Sequence, residues 1–554
     1  LEARVAAIER RLAETPAPPP PPHPPAPDPH PPEPPMPPWE PVSSDLGDAR
    51  QVGAGEYLRI EGDARVGTLT IRDGGRVELA GRLGIKPVAL ADLDLGHGIE
   101  PQVTRGIIVR DHGELIANGT AQPPREGELE RALSIYSLDR SQRGHVIIYH
   151  GGCISATGVE FRDLGRGRNE RWNATNNLKG RYALHLHHGH DHGDCCQIIG
   201  CSIHDTLPES PYRYGVTIHA TNNAIVRDCV VANKSGAGIW TEDGTERGNV
   251  IRGNLVYDIH GTGGLANSRQ SPPWPDIIDE AFEGVGFWFR SGGNVIENNT
   301  ARRCQRAGLL WWPAGDGPPF VASGFVVEDC LSGIEPWYAW PSEEPSVISQ
   351  SIVRRCENGI RNYNVGRLIY RHVVIEDCTD RGYNGGDYAE AFVTFENVTI
   401  RRCRGGGFVP STIQTNYLGL TGPVTVIGLV CEQNGCDVLM LPLWHNGGGS
   451  MCVPRRVTIE TADLRSSCGV VMAADGPGGW NKILLDELTV NGRRYYYADQ
   501  RASAICPHSD GANVGCPVAG LTNEQALGQY GVCRAGEIAP QAAQMVDGVE
   551  GLVL

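Results

Sequence analysis

The chain has no surplus of basic charge. Of its 554 residues, 49 are Lys or Arg against 65 Asp or Glu, a formal net charge of −16. Nucleic acids and anionic membrane surfaces recognise a basic footprint, so both are excluded as principal partners. No apolar run reaches the length of a transmembrane helix, which excludes insertion by that route. Cysteine is not present in even number; 17 residues argue against a fully paired disulfide framework. The chain opens at Leu1 and not Met, which points to a processed or truncated N terminus with any signal peptide out of view. Sustained helical periodicity is also missing, so helical repeats are excluded.

What is present is Gly (71) and Pro (40), the proline crowded near the start. In residues 1–15, Leu1, Val5, Ile8 and Leu12 follow the four-three-four spacing of an a/d seam, so a short coiled-coil helix or a frayed amphipathic one is expected. A seam of this kind predicts a homo-oligomer, with a trimer the simplest spike. Residues 16–42 are proline-rich and have few backbone donors, which predicts a polyproline II stalk. At about 3 Å per residue it would span on the order of 70 Å. That layout fits an extracellular, cell-surface or virion-associated protein.

Strands follow. Residues 43–125 hold short alternating runs broken by Gly and Asp, and residues 126–450 repeat regularly. The repeat is two apolar residues, two polar ones, a small or polar residue, then apolar again, as in Ile225-Val-Arg-Asp-Cys-Val-Val and Val250-Ile-Arg-Gly-Asn-Leu-Val. Its fifth position reads Cys201, Cys229, Asn254, Asn299, Cys330, Ser351, His372 and Asn397. A period in the twenties with several short strands per turn predicts an all-β fold, a right-handed single-stranded parallel β-helix. Cys201, Cys229 and Cys330 then read as stacked core hydrophobes. Cys431, Cys436, Cys452, Cys468, Cys506, Cys516 and Cys533 are free to pair in an oxidising compartment. One long gap predicts an insertion at residues 261–283. Residues 451–554 lose the register and are expected to cap the solenoid, with a short helix at residues 522–530.

A second strand recurs in each coil, usually after Gly. The runs are Ala183-Leu-His-Leu-His, Gly215-Val-Thr-Ile-His, Gly238-Ile-Trp-Thr-Glu, Gly286-Phe-Trp-Phe-Arg, Gly308-Leu-Leu-Trp-Trp, Gly333-Ile-Glu-Pro-Trp and Gly359-Ile-Arg-Asn-Tyr. Their second column is uniformly apolar and so faces inward; the third and fifth must face outward. The outward columns segregate. His185, His187, His219, Glu242 and Arg290 lie at one end and are candidate catalytic residues, since His and Glu can exchange protons near neutrality. Trp240, Trp288, Trp312, Trp337 and Tyr363 are candidate substrate-binding residues, flat rings suited to the apolar faces of sugars. A polysaccharide is the expected partner. The competing reading is that loops cover this strip and the aromatics are ordinary buried contacts.

Three imidazoles also suit a metal. His185, His187 and His219 are candidate ligands of a divalent ion, zinc or calcium. The stretch from His185 to His192 could instead bind stray divalent metal. A calcium-dependent lyase would need a stack of acidic residues, and no clear Asp stack is present.

Four runs carry a family resemblance. Gly144-His-Val-Ile-Ile-Tyr-His, Val159-Glu-Phe-Arg-Asp-Leu-Gly-Arg, Gly180-Arg-Tyr-Ala-Leu-His-Leu-His-His and Trp240-Thr-Glu-Asp-Gly-Thr-Glu-Arg-Gly-Asn-Val-Ile resemble the cell-surface hyaluronidase and cell-migration-inducing protein family. That family's Gly-Arg-Tyr-Pro-Ile-His-Phe-His hallmark stands here with Ala183, Leu184 and Leu186 substituted. Its eight-glycine domain would correspond to residues 67–120, and the similarity extends over residues 67–303. The resemblance implies a β-helix and binding or depolymerisation of hyaluronan. The expectation is therefore a polysaccharide-binding β-helix that depolymerises a glycan, as hydrolase or lyase. The alternatives are a non-catalytic glycan-binding adhesin and a structural fibre subunit.

Overall fold

The computed structural model describes residues 39–87, 106–165, 182–207, 214–261, 284–313, 317–337, 339, 344–385, 390–410, 422–435, 437–440, 455–465, 470–472, 485–490, 493–496, 543–546 and 549–552. The expected N-terminal helix, the stalk up to residue 38, the insertion from residue 262 and the helix at 522–530 lie outside the described residues.

Short strands with one apolar face cannot bury it alone, and here they do so by stacking coil on coil. Strands pair almost throughout in parallel, each with its equivalent one coil away, in one 31-stranded and one 15-stranded sheet. This is a parallel β-helix. Among the described residues the only helical turn is the 3-10 segment Asp191–Cys195. The larger sheet supplies two strands per coil, such as Gln197–Ile199 and Ser202–His204, bent at a corner. The smaller supplies the third, such as Val216–Thr221.

Stacking begins earlier than the composition implies. The strand Glu40–Val42 already pairs with Tyr57–Ile60, inside the segment expected to be stalk. Nor does the region 43–125 stand apart from the body. Thr68–Ile71 pairs with Gly106–Val109, that strand with Val146–Tyr149, and that with Leu184–His190. Near the other end, parallel stacking gives way to an antiparallel pair, Leu485–Val490 with Arg493–Tyr496.

The corner between the paired strands is left-handed. Asp228, Asn298, Gln350, His372 and Asn397 sit there at φ of 52–55°, alternating with Gly200, Gly253, Gly324 and Gly428. Such φ values suit Gly, Asn and Asp. The residue after the corner points into the core, where Cys201, Cys229, Asn254, Asn299 and Ser351 stack as expected. Asn254 satisfies its buried amide along this ladder, accepting from the Cys229 N–H at 3.0 Å and donating to Asn299 at 3.0 Å.

The remaining members of that ladder are corrected by the strand register. It places Phe325, Val373 and Val398 in line with Asn299 and Ser351, so His372 and Asn397 belong to the corner one residue earlier. Cys330 follows the next strand and stacks with Cys304, Cys356, Cys378 and Cys403. Both corners read apolar, apolar, polar, polar, small, which is why one motif matches two places. All five of these thiols are free and buried, as are Cys201 and Cys229. Among the described residues one bridge forms, Cys153–Cys195, 42 residues apart in sequence and one coil apart in space.

The glycines at the starts of the smaller sheet's strands are set by close approach. A Cβ on Gly333 would lie 2.1 Å from Val353 Cγ1 and 2.4 Å from the Gly359 carbonyl oxygen. Nothing larger than hydrogen fits there.

Candidate functional site

The smaller sheet's strand Leu184–His190 alternates as its sequence dictates: Leu184 and Leu186 enter the core, and His185 and His187 project outward. The next two strands of this sheet are Val216–Thr221 and Ala237–Thr241. Their register sets His185 beside Thr217, His187 beside His219, and Thr217 beside Trp240. Columns aligned from sequence are therefore columns in space.

His187 is followed by a bulge, where the pairing register shifts before His190. His188 and His190 both take positive φ there, 50° and 47°. The bulge turns His188 back against His219, ring centroids 4.6 Å apart. Beyond it, the 3-10 turn ends at Cys195, which the disulfide ties to Cys153.

Glu242 and Asp243 leave the strand Ala237–Thr241 in a tight turn organised by Glu246. The buried Glu246 carboxylate accepts N–H groups of Glu242 (3.2 Å), Asp243 (3.0 Å), Gly244 (3.0 Å) and Ala220 (3.2 Å). Four backbone donors thus fix the turn that aims Glu242 at the histidines.

The resulting cluster is compact. His187 Nδ1 and His219 Nδ1 face each other at 3.1 Å. Glu242 Oε2 lies 3.3 Å from His219 Nδ1 and 3.8 Å from His185 Nε2. Tyr182 donates its hydroxyl to Glu242 Oε1 at 3.3 Å, and Asp243 Oδ2 lies 3.5 Å from His219 Nε2. The His185 side chain is 1% exposed, whereas His219 and Glu242 keep 18% and 20%, so the cluster opens to solvent on the Glu242 side. Ring nitrogens of His185, His187 and His219 all lie within 4.8 Å of one another, so these residues could hold a metal.

The electrostatics follow from this packing. Burial pushes the His219 imidazolium down, but the Glu242 charge and the Asp243 hydrogen bond outweigh it and its pKa is raised. Burial pushes Asp243 up, yet hydrogen bonds from His219, Thr245 and Glu246 hold it well below the usual carboxylate range. His188 is lowered, by burial first and then by neighbouring His219 and His190. Glu246 is raised by burial and by the Asp243 charge.

Along the same column Arg290 follows one coil after Glu242, its backbone N–H on Thr241 Oγ1 at 2.8 Å. The aromatics then run in contact: Trp288 stacks on Trp312 (6.2 Å, 15°), Trp312 meets Trp337 at 4.8 Å, and Trp337 meets Tyr363 at 4.7 Å. Arg306 lies over Trp337 and Tyr363 at 5.2 and 5.9 Å and pairs with buried Glu335, which also accepts the Trp337 indole N–H at 2.6 Å.

The expectation of an open strip is met only in part. Trp240 and Trp288 are buried, 4% and 0% exposed, and share an outer apolar cluster with Tyr182, Tyr214, Val285 and Leu310. Tyr363 is also buried, at 6%. Trp312 and Trp337 are only partly buried and remain accessible rings. The third column faces outward and is still covered, because Tyr182 and Tyr214, just before two of the strands, pack against Trp240, and Trp312 stacks on Trp288. Sequence reasoning did not single out Tyr182, Asp243 or Glu246; all three stand in the runs Gly180-Arg-Tyr and Glu242-Asp243-Gly-Thr-Glu quoted above.

A parallel β-helix whose small sheet carries a histidine–carboxylate cluster beside an aromatic shelf is the class that fold and site define. Residues 142–318 match the family model described as CEMIP beta-helix, which includes every candidate site residue except Trp337 and Tyr363. The match begins beyond the stretch compared with the eight-glycine domain. Fibrocystin-L of Mus musculus is 24% identical over 230 residues, 37% of this chain and 5% of that protein. Cell surface hyaluronidase of Danio rerio is 24% identical over 204 residues, 33% of this chain and 14% of that protein. The chain thus spans a small fraction of these relatives. Among solved structures, the mannuronan C-5 epimerase AlgE6 A-module of Azotobacter vinelandii superimposes with TM-score 0.34 at 14% identity, covering 77% of this chain and 89% of that one.

Proposed function

We propose that this β-helix acts on an extracellular or cell-surface polysaccharide and cleaves it at the histidine–carboxylate end of the outward column. The observation that carries this reading is the position of Glu242. Its side chain keeps 20% exposure, is aimed by a rigid turn, and is held between Tyr182, His185 and His219. A group so placed can move a proton at a bound substrate, with an imidazole as its partner. Arg290, on the next coil, supplies positive charge for an acidic sugar. Trp312 and Trp337 supply ring faces further along. Four successive coils, from His187 to Arg290, span on the order of 15 Å, about three sugar units. One relative is named a cell surface hyaluronidase, which makes hyaluronan the first substrate to test.

The experiment is a depolymerisation assay on hyaluronan and a panel of acidic and neutral polysaccharides, read by size exclusion and by ultraviolet absorbance of unsaturated ends. Glu242→Gln keeps the shape and should lower cleavage by about 100-fold or more while binding persists. Trp312→Ala and Trp337→Ala should weaken binding by about 1–3 kcal/mol each, a magnitude taken from stacking of flat bases on aromatic side chains. Cleavage by the Glu242 variant at the wild-type rate would refute the acid–base role. Glycan binding without any cleavage would make the protein a non-catalytic adhesin.

A further inference from the structure

We propose that His185, His187 and His219 form the seat of a divalent transition-metal ion, with zinc the simplest occupant, and that Asp243 orients His219 toward it. The argument is geometric. Two imidazoles on adjacent strands turn the same atom, Nδ1, toward each other at 3.1 Å. A tetrahedral ion bound at about 2.0–2.1 Å to each nitrogen needs ligand atoms a little over 3 Å apart. His187 and His219 are already near that spacing. The third nitrogen, on His185, completes a set within 4.8 Å, so a closing of about 1.5 Å in side chains alone would complete it.

The far side of His219 is the second, independent observation. Its Nδ1 faces the other histidines while its Nε2 faces the Asp243 carboxylate at 3.5 Å. This is the carboxylate–histidine arrangement that fixes the tautomer of a metal-binding imidazole and raises its basicity. Glu242 Oε2, shielded from solvent and close to both His219 and His185, stands at the fourth position as a carboxylate donor. Three imidazole nitrogens with a carboxylate beside them are a donor set that zinc accepts.

The donor set also chooses between ions. Imidazole nitrogen suits zinc, copper, nickel or iron, whereas calcium asks for six or more oxygen ligands that this cluster does not offer. The calcium alternative is therefore set aside. Binding of the ion stands on these residues alone, while its use in cleavage rests on the function proposed above.

The test uses the full chain, stripped with a chelator and dialysed, then titrated with zinc chloride by calorimetry and with cobalt chloride by visible absorption. Wild type should take up about one equivalent tightly and give the intense bands of tetrahedral cobalt. His187→Ala should lose that equivalent. Asp243→Asn, which removes no ligand, should retain it with roughly 10-fold weaker affinity. A His190→Ala/His192→Ala double variant should bind as wild type does. Circular dichroism confirms that each variant is folded; if His187→Ala is not, the Asp243 and double variants decide. No uptake by wild type, or loss of uptake only in the double variant, would overturn the site. One bound zinc in a protein that cleaves no glycan would uphold the metal seat and reject the cleavage reading. Cleavage by a wild type that takes up no metal would do the opposite.

Discussion

Two clusters of ionisable side chains, each gathered from successive coils, meet burial in opposite ways. In the first, Arg143, Asp163, Asp205 and Lys234 are almost fully buried, and every charge has an opposite neighbour. Arg143 reaches Asp205 at 2.6 Å and Asp163 at 3.4 Å; Lys234 Nζ reaches Asp205 at 3.1 Å and the Leu164 carbonyl at 2.7 Å. Thr206 closes Asp163 with two further hydrogen bonds, at 2.9 and 2.7 Å. In the second, His185, His187, His188 and His219 crowd like groups together, with carboxylates along one side and an opening to solvent. The first arrangement spends its electrostatics on holding the fold. The second brings ring nitrogens and a carboxylate together within a few ångströms of one another, as a reactive site must.

Breaking the first cluster should cost the most. Lys234→Met leaves buried Asp205 with Arg143 alone, while Asp163 keeps Arg140 at 3.2 Å, and should destabilise by about 3–5 kcal/mol, the usual cost of removing one partner of a buried pair. Urea denaturation of wild type and variant measures it. A difference below about 1 kcal/mol would mean that the network is not structural.

A pH series sharpens the same contrast. Burial lowers the Lys234 pKa to about 8; the Asp205 charge opposes that shift and the Arg143 charge adds to it. Unfolded, the lysine titrates near 10.5, so between pH 8 and 10.5 the unfolded chain binds more protons than the folded one. Stability owed to this group therefore rises with pH across that window, by on the order of 3 kcal/mol. Other buried groups titrate there too, among them Cys196, which burial raises to about 12. The measurable quantity is therefore the gap between wild type and Lys234→Met, which should widen as pH increases.

The smallest effect on stability should come from the second cluster. His219→Gln removes a like neighbour from His188 as well as a partner from Asp243, so the two changes offset to within about 1 kcal/mol. Thermal denaturation checks this, and the same variant should lose the metal equivalent. A loss of several kcal/mol would make the histidines a structural network like the first.

Much of this molecule was readable from the chain. The pairing of His187 with His219 and of Trp240 with Trp288 followed from aligning Gly-preceded strands, because strict alternation leaves one register that puts every apolar second position inward. The Asn254–Asn299 ladder followed for the same reason. Cys330 was misplaced by one strand because a left-handed corner ends each of the two strands and both corners carry the same short motif. The Cys153–Cys195 bridge was not legible at all, since nothing local marks two cysteines 42 residues apart as neighbours.

The coil, its two long sheets and the membership of each column were determined by the sequence, through periodicity and through the one place where only glycine fits. Whether a column that faces outward is also open was decided by tertiary structure alone. Trp288 is buried because residues at the starts of neighbouring strands close over it, and Asp243 reaches His219 because Glu246 ties down a turn on the next coil. Alternation along a strand dictates direction, but exposure depends on what adjacent coils place above a side chain, and that is settled only when the coils stack.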